Sequence, residues 1–495
     1  MRCHGIARMG DTACMRLTAL WLVSRRGRAI AKVGLQVPLL TPPLRRWDGS
    51  EILSVRRIQI RTVEVADLEI ERNSVVTPGV DPTPVGELPP VGQVPSHMHA
   101  QVVRPARYGD PARAFVPEVI PTPELGQDEV LIAVMAAGIN YNNVWAARGY
   151  PVDQVAVRQR RGEVEDFHVG GSDASGIVYA VGRAVEGIEV GDEVITHPGW
   201  WNADDPWIAR GKDAMIAPSA RIYGYDTNYG SFGQFTRVQA HQVLPKARHL
   251  TWEEAAAPTL VGTTAYRMLH GWEGNTVAEG DVVLVWGGSG GLGTQGIQLA
   301  RQAGAIPVAV VSEPERGAYA EKFGAAGWIN RREFTHWGIP PLVDDVAGQK
   351  EWTAGARAFG KKIWDIVGKR QDPAIVFEHP GAATVPTSIF VCEPGGMVVI
   401  CAGTAGFEAV VDLRYHWTRQ KRFQGTHGTN DEQARAYNDL VVAGKIDPSL
   451  GRTVSFADIP AAHAAMGRGE EVFGNVAALI GAAKPGTGID GGHQL

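Results

Sequence analysis

Cysteine is scarce. Cys3, Cys14, Cys392 and Cys401 are the only four in 495 residues, and no two of them form a CxxC pair. Such a set can assemble neither a disulfide framework nor a structural zinc knot. Long apolar runs are missing too: none approaches the ~20 residues a membrane span needs. The expectation is therefore a cytoplasmic protein with no membrane partner. Charge of one sign is not in excess. Lys and Arg number 48 against 53 Asp and Glu, a net charge of −5, and no basic face runs through the body, which speaks against nucleic acid. What remains, 44% hydrophobic and 20% charged, is the composition of a globular protein too long for a single core. Two domains are expected.

Acids are few in residues 1–62, while Arg25, Arg26, Arg28, Arg45, Arg46, Arg56 and Arg57 are scattered through them. The apolar piece "LTALWLVSRR" carries its charges behind it, the reverse of a secretory signal. An Arg-rich, acid-poor leader could be a transit peptide; a disordered extension or an over-long gene start is the preferred reading. Residues 76–95, "VTPGVDPTPVGELPPVGQVP", are Pro-rich and read as an extended arm. Residues 1–95 are thus assigned to extension and arm, and 484–495 to a flexible tail.

Between them the chain changes character once. Residues 96–250 show short alternating strands with Gly-rich turns, as in "DEVLIAVMAAG" and "GSFGQFTRVQAHQVLPKA", the pattern of a compact β-rich domain. At "DVVLVW" (281–286) comes an apolar run of the kind buried on both faces of a parallel sheet. "GGSGGLG", a helical "TQGIQLARQAGA" and a second strand "IPVAVVS" complete a β-α-β unit. Trp352, Ala356, Phe359, Ile363 and Ile366 recur at helical spacing, and "AIVFEHP" and "GGMVVICAGT" add buried strands. The fold class is α/β, with a doubly wound Rossmann domain at 251–422 inserted into the β-rich domain, which 423–483 completes.

Gly288, Gly290 and Gly293 form a GxGxxG that follows the strand and opens the helix, with Ser289, Gly291 and Leu292 between them. Glycines there permit a tight turn and let a pyrophosphate approach backbone N–H groups at the positive helix end. An NAD site usually carries an acid where the second strand ends, to hold the ribose 2′-OH. Here Ser312 stands at that position with Arg316 just beyond, which suits a 2′-phosphate and favours NADPH. Glu313 keeps NAD open.

The strand "EVLIAVMAAG" runs into a loop with three amides in four residues, Asn140, Asn142 and Asn143. Turn chemistry could explain them; so could a binding site, since buried amides are costly unless every donor and acceptor is matched. The order of "GINYN", "GSDASGIV", "VGDEV", "GGSGGLG" and "FEHPG" resembles the medium-chain dehydrogenase/reductase superfamily, from residue 97 to 483. Zinc-dependent members carry Cys where Asn140 stands, His-Glu where Ser172-Asp173 stand, and a four-Cys lobe. The resemblance therefore implies a zinc-free member with a GroES-like β-rich catalytic domain. The insertion at 197–232, the long piece "GWINRREFTHWGIPPLVDDVAGQKEWTAGARAFGKKIW" and "LRYHWTRQKR" look specifically like the crotonyl-CoA carboxylase/reductases.

That resemblance implies NADPH-dependent addition of hydride and CO2 across an enoyl-CoA, in a homo-oligomer (dimer or tetramer). Carried over residue by residue, Asn140 would hold CO2, His427 and the acid of "YGYDTN", Asp226, would share a water beside it, and Tyr225 would screen the pocket. Asp226 departs from the family's Glu by one methylene, and Gly428 and Thr429 replace Phe and Ala. His427 taken alone could equally be a structural histidine. Arg414, Tyr415, Arg419, Lys421 and Arg422 are candidates for the CoA phosphates, or a solvated face. Trp200, Trp201 and Trp207 read as packing within the insertion. Two other functions stay open: a non-carboxylating enoyl-CoA or acrylyl-CoA reductase, and a non-catalytic NADPH-binding paralogue.

Overall fold

A computed structural model describes residues 74–470 and 473–489. Most of the expected extension (1–73) and the last tail residues (490–495) lie outside them. Within the arm, proline supplies no N–H, and the body supplies donors to arm carbonyls while the Gly86 N–H donates to the Ile480 carbonyl at 2.9 Å. Gln234 donates its Nε2 to the Thr83 carbonyl at 2.9 Å, and Tyr179 its hydroxyl to the Pro89 carbonyl at 2.7 Å. Val94 is fully buried where the arm meets the body.

The β-rich half is organised around β1 (Glu129–Gly138), whose residues from Val130 onward are all buried. It pairs antiparallel with β2 (Ala174–Val181), and β2 with β3 (Glu193–Thr196). On its outer half β1 also pairs with β4 (Phe235–Gln239), and β5 (Val243–Pro245) closes on β3. Where β1 ends, α1 (Tyr141–Arg148) begins and stops at Gly149, in the left-handed region at φ 61°.

The second half is a six-stranded parallel sheet. Its strands are β6 (Val282–Trp286), β7 (Ile306–Val311), β8 (Gly327–Asn330), β9 (Ile375–Glu378), β10 (Met397–Ile400) and β11 (Arg422–Gly425), in the order β8-β7-β6-β9-β10-β11. This is the doubly wound Rossmann order, which leaves a crevice at the carboxyl ends of β6 and β9 where the strand order reverses. The chain enters through α2 (Thr259–His270), and α3 (Gly291–Gln302) crosses from β6 to β7. In α4 (Val346–Val367), Trp352, Ala356, Phe359 and Ile363 form the buried stripe, with Ile366 packed at its margin.

Both expected edges of this half move. Trp252–Ala256 sits on the β-rich half, where Ser175 donates to the Trp252 carbonyl at 2.7 Å. At the far side the Rossmann half does not end at 422. The strand Arg422–Gly425 is its sixth, and α5 (Asp431–Val442) shares its core through Ala434, Tyr437 and Val441. The return comes with β12 (Leu450–Ser455) and β13 (Asn475–Leu479), parallel to one another, β13 lying antiparallel to β1. The register Ala477↔Gly138 pins the end of β1, and with it the loop that carries the amides.

Candidate active site

A cavity of about 780 Å³ lies where the two halves meet, and Asn140, Tyr225, Ser312, Arg316 and His427 all line it with the glycine loop. The three amides divide their work. Asn142 donates its Nδ2 to Ser172 Oγ at 2.8 Å, and Asn143 accepts the Gly171 N–H on its Oδ1 at 3.1 Å; both tie α1 to the approach to β2. Asn140 precedes the first residue of α1, yet its side chain caps nothing. Its Nδ2 instead donates to Asp173 Oδ2 at 2.5 Å. Asp173 is fully buried, and burial pushes its carboxyl up to about 7 against hydrogen bonds from Thr259, Asn140 and the Leu260 N–H.

His427 follows β11 and opens onto the cavity. The ring is exposed into the cavity, and the desolvating walls push its pKa below the usual value, against the pull of Asp226 and with a further push from Arg267, which favours the neutral form. Tyr225 is buried at the wall, where it packs with Trp201, Met215 and Ile222 of the insertion. Asp226 does not line the cavity. Its Oδ2 accepts the Ile222 N–H at 2.8 Å and its Oδ1 the Gln154 Nε2 at 3.2 Å, so the carboxylate closes a turn inside the insertion. Gly428 has φ 61°, and a Cβ there would stand 2.7 Å from Ile222 Cδ1. Ile222 and Met215 thus occupy the space that a larger residue at 428 would need.

The glycine loop is shaped for close approach. Gly290 caps α3, and a Cβ on it would meet only the Gly287 carbonyl, at 3.5 Å, so the space in front of the helix end is open. A Cβ on Gly293 would fall 2.2 Å from the Gly287 carbonyl oxygen. At the end of β7, Ser312 is buried at the cavity wall, and Arg316 donates to Ser289 Oγ at 3.2 Å while lying over the Phe473 ring. Glu313 points elsewhere and pairs with Arg332 at 2.8 Å. Three lining cations escaped sequence reasoning, of which Arg468 is paired with Glu470 at 2.6 Å. Arg331 follows β8 as Ser312 follows β7, and Arg452 lies opposite Val476 in the return sheet, two residues from Gly474, which bridges to Gly290. The signal for Arg331 was its place at a strand end. Arg452 had none.

None of the five proposed CoA-phosphate residues lines this cavity. Lys421 is buried and donates to the Ile389 and Phe390 carbonyls at 2.6 and 3.3 Å, capping the end of the helix Val385–Val391. That corrects its assignment, because an amine spent on carbonyls is not offered to phosphate. Arg414 is held by Asp412 at 2.6 Å, Tyr415 packs edge-on against Phe390, and Arg422 is shared between Gln424 and the Glu273 carbonyl. Arg419 is exposed. Lys421→Met should lower Tm, since the two carbonyls lose a charged donor at about 1–3 kcal/mol, and leave KM for the acyl-CoA unchanged. A raised KM at constant Tm would restore Lys421 to the CoA site.

Glu378 and His379 are adjacent at the end of β9 but face different surroundings. Glu378 is fully buried, accepts hydroxyls from Thr384 and Ser388 at 2.7 and 2.6 Å, and is pushed up to about 7 by burial. His379 reaches the cavity with its pKa pushed down to about 4 by burial.

Among the described residues one group of His, Cys, Asp and Glu is close enough to share a metal: His197, His241 and Asp431. His197 Nε2 and His241 Nδ1 lie 3.0 and 2.8 Å from the same Asp431 oxygen. Burial alone would push Asp431 up, and the two histidine hydrogen bonds hold it well below the carboxylate range. His197 Nδ1 accepts the Gly199 N–H at 3.2 Å. In the neutral ring the proton then sits on Nε2, with no lone pair left there for a metal.

Residues 126–248 match the alcohol dehydrogenase GroES-like domain, and 291–443 match the family described as zinc-binding dehydrogenase. The chain is 48% identical over 402 residues to the crotonyl-CoA carboxylase/reductase of Cereibacter sphaeroides, covering 81% of this chain and 92% of that protein. Against a crotonyl-CoA reductase of Streptomyces collinus it is 38% identical over 359 residues, 70% of this chain and 78% of the relative. Among solved structures, the crotonyl-CoA carboxylase/reductase AntE in complex with NADP has a TM-score of 0.79 at 48% identity, covering 82% of this chain and 100% of that one. The 2-octenoyl-CoA carboxylase reductase CinF, in complex with NADP and 2-octenoyl-CoA, has a TM-score of 0.73 at 36% identity, covering 80% and 90%.

Proposed function

This chain belongs to the crotonyl-CoA carboxylase/reductases of the medium-chain dehydrogenase/reductase superfamily, and from that premise we propose which of its residues carry each part of the work. The reaction is the NADPH-dependent reductive carboxylation of an enoyl-CoA, crotonyl-CoA and CO2 giving ethylmalonyl-CoA. Bound NADPH supplies a hydride for Cβ of the enoyl thioester. The Gly288–Gly293 loop at the positive end of α3 would hold its diphosphate, with Arg452 as a counter-charge. Ser312, Arg316 and Arg331 take the 2′-phosphate.

Once Cβ is reduced, negative charge builds on Cα and the thioester oxygen, and the branch is set by whichever electrophile meets Cα first. CO2 held by the Asn140 amide, with neutral His427 ordering a water beside it, gives the carboxylated product. A proton from loose water gives butyryl-CoA. Tyr225 and Ile222 keep that corner apolar, which favours the first branch. The observation that carries this reading is the meeting of Asn140, His427 and the glycine loop on one cavity. Crotonyl-CoA with NADPH, with and without bicarbonate and with products resolved by mass, tests it: ethylmalonyl-CoA must appear only with bicarbonate.

The zinc in the name of the matching family does not fit this chain. Positions 140, 172 and 173 offer an amide, a hydroxyl and a carboxylate already bound to three donors, whereas zinc takes thiolate and imidazole at tetrahedral spacing. Exhaustive chelation should leave the rate unchanged. Stoichiometric zinc lost in step with activity would overturn this point.

Among the described residues no helix is long and apolar enough to cross a membrane. We place the enzyme in the cytoplasm, where the free thiols of Cys392 and Cys401 stay reduced. We also assign it a homo-oligomeric state, supported by the outer position of β11 in its sheet and the exposed Leu413 and Trp417 before it.

A further inference from the structure

Asp173 stands where metal-dependent relatives would place a ligand-bearing acid, and the reaction as described gives it no task. Its surroundings are specific. It is 0% exposed, directly before β2, and the neighbouring strand makes room for it at Gly138, where a Cβ would come within 2.3 Å of Asp173 Oδ2. One carboxylate oxygen accepts the Thr259 hydroxyl and the Leu260 N–H, both at the first turn of α2; the other accepts Asn140 Nδ2 at 2.5 Å. Among the described residues no Lys or Arg pairs with it, so the carboxylate is held by three hydrogen bonds and the positive end of a helix, and burial leaves it ionised only above about pH 7. Burying a carboxylate on those terms is costly, and one of its three donors is the amide that faces the CO2 corner.

We propose that Asp173 is the positioning residue of the CO2 site: in its ionised form the carboxylate can only accept, which forces the Asn140 amide to turn its nitrogen inward. Asparagine's oxygen and nitrogen are nearly the same shape, so sterics alone do not choose between the two orientations. With the nitrogen fixed against Asp173, one N–H is consumed and the second, diverging from it in the amide plane, is left for an oxygen of CO2. With the amide reversed, a lone pair would occupy the place of that donor, and the carboxylating branch would lose its hold. This rests on the reading that Asn140 binds CO2.

The test compares Asn140→Ala, Asp173→Asn and the double variant, reading KM for CO2 and the ratio of ethylmalonyl-CoA to butyryl-CoA at saturating crotonyl-CoA and NADPH. Asp173→Asn keeps the shape and reverses the orientation rule, because its amide oxygen must stay on the Leu260 N–H and its amide nitrogen, a donor, then meets Asn140. Its expected effect is a product ratio about tenfold lower and a KM for CO2 raised by a similar factor, on the order of one hydrogen bond to a charged group. The double variant should be no worse than Asn140→Ala. If Asn140→Ala shifts the ratio while Asp173→Asn leaves it at the wild-type value, the positioning role is wrong and the CO2 reading stands. If Asn140→Ala does not shift it either, the CO2 reading itself falls. Should Asp173→Asn fail to fold, Thr259→Val weakens the same anion from the other side. A ratio lower by about threefold supports the proposal, and an unchanged ratio overturns it.

Discussion

Ser312→Asp should cut kcat/KM for NADPH by about a hundredfold, roughly 2.7 kcal/mol of transition-state binding, while kcat/KM for NADH changes little or rises. Ser312 is buried at the carboxyl end of β7 and faces the cavity, so a side chain there cannot swing away into solvent. A carboxylate in its place would stand against the 2′-phosphate and also engage Arg316, the cation meant to meet that phosphate. Glu313 does not supply this repulsion in the native chain, because Arg332 holds it outside the cavity. The wild-type enzyme should accordingly prefer NADPH by well over tenfold. Initial rates with both cofactors at subsaturating concentration settle the matter; equal wild-type kcat/KM values would sink the assignment of Ser312, Arg316 and Arg331.

How much of this could be read from the chain differs residue by residue. The Rossmann unit was legible because its signal is local: strand, glycine loop and helix follow one another within a few dozen residues, and burial on both faces of β6 enforces an unbroken apolar run. Loop Asn140 could be singled out by type and place, but its partner could not, since Asp173 reaches it only through the antiparallel pairing of β1 with β2. Basic residues clustered in sequence were a poor guide. Lys421 and Arg422 are adjacent, yet one turns under the helix Val385–Val391 and the other pairs along its own strand with Gln424. Arg331 and Arg452 lie 121 positions apart and meet the same cavity through topology alone. Charge pattern reports solvent-facing composition; it does not report which strand ends converge.

Asp226 shows where sequence comparison stops and geometry takes over. A missing methylene implies a shortened reach, and the structure adds a direction: the carboxylate is drawn back to the Ile222 N–H at 2.8 Å and lies outside the cavity lining. With that carboxylate outside the cavity lining, the water that His427 is proposed to order gains no hydrogen bond from it, and part of the enolate should be protonated before it meets CO2. The expected result is a measurable fraction of butyryl-CoA from the wild-type enzyme even at saturating CO2. Asp226→Glu adds the methylene that lets the carboxylate extend past the turn toward His427, and should shift products toward ethylmalonyl-CoA by up to tenfold, about 1.4 kcal/mol at the branch. His427→Asn should move the ratio the other way, because it removes the ring from the CO2 corner while Ser312, Arg316 and the glycine loop remain. Mass-resolved products across the three proteins at one CO2 concentration decide it. A wild-type product that is wholly carboxylated, and unchanged by Asp226→Glu, would mean that Ile222, Met215 and Tyr225 exclude stray water well enough that the acid's reach no longer governs the branch.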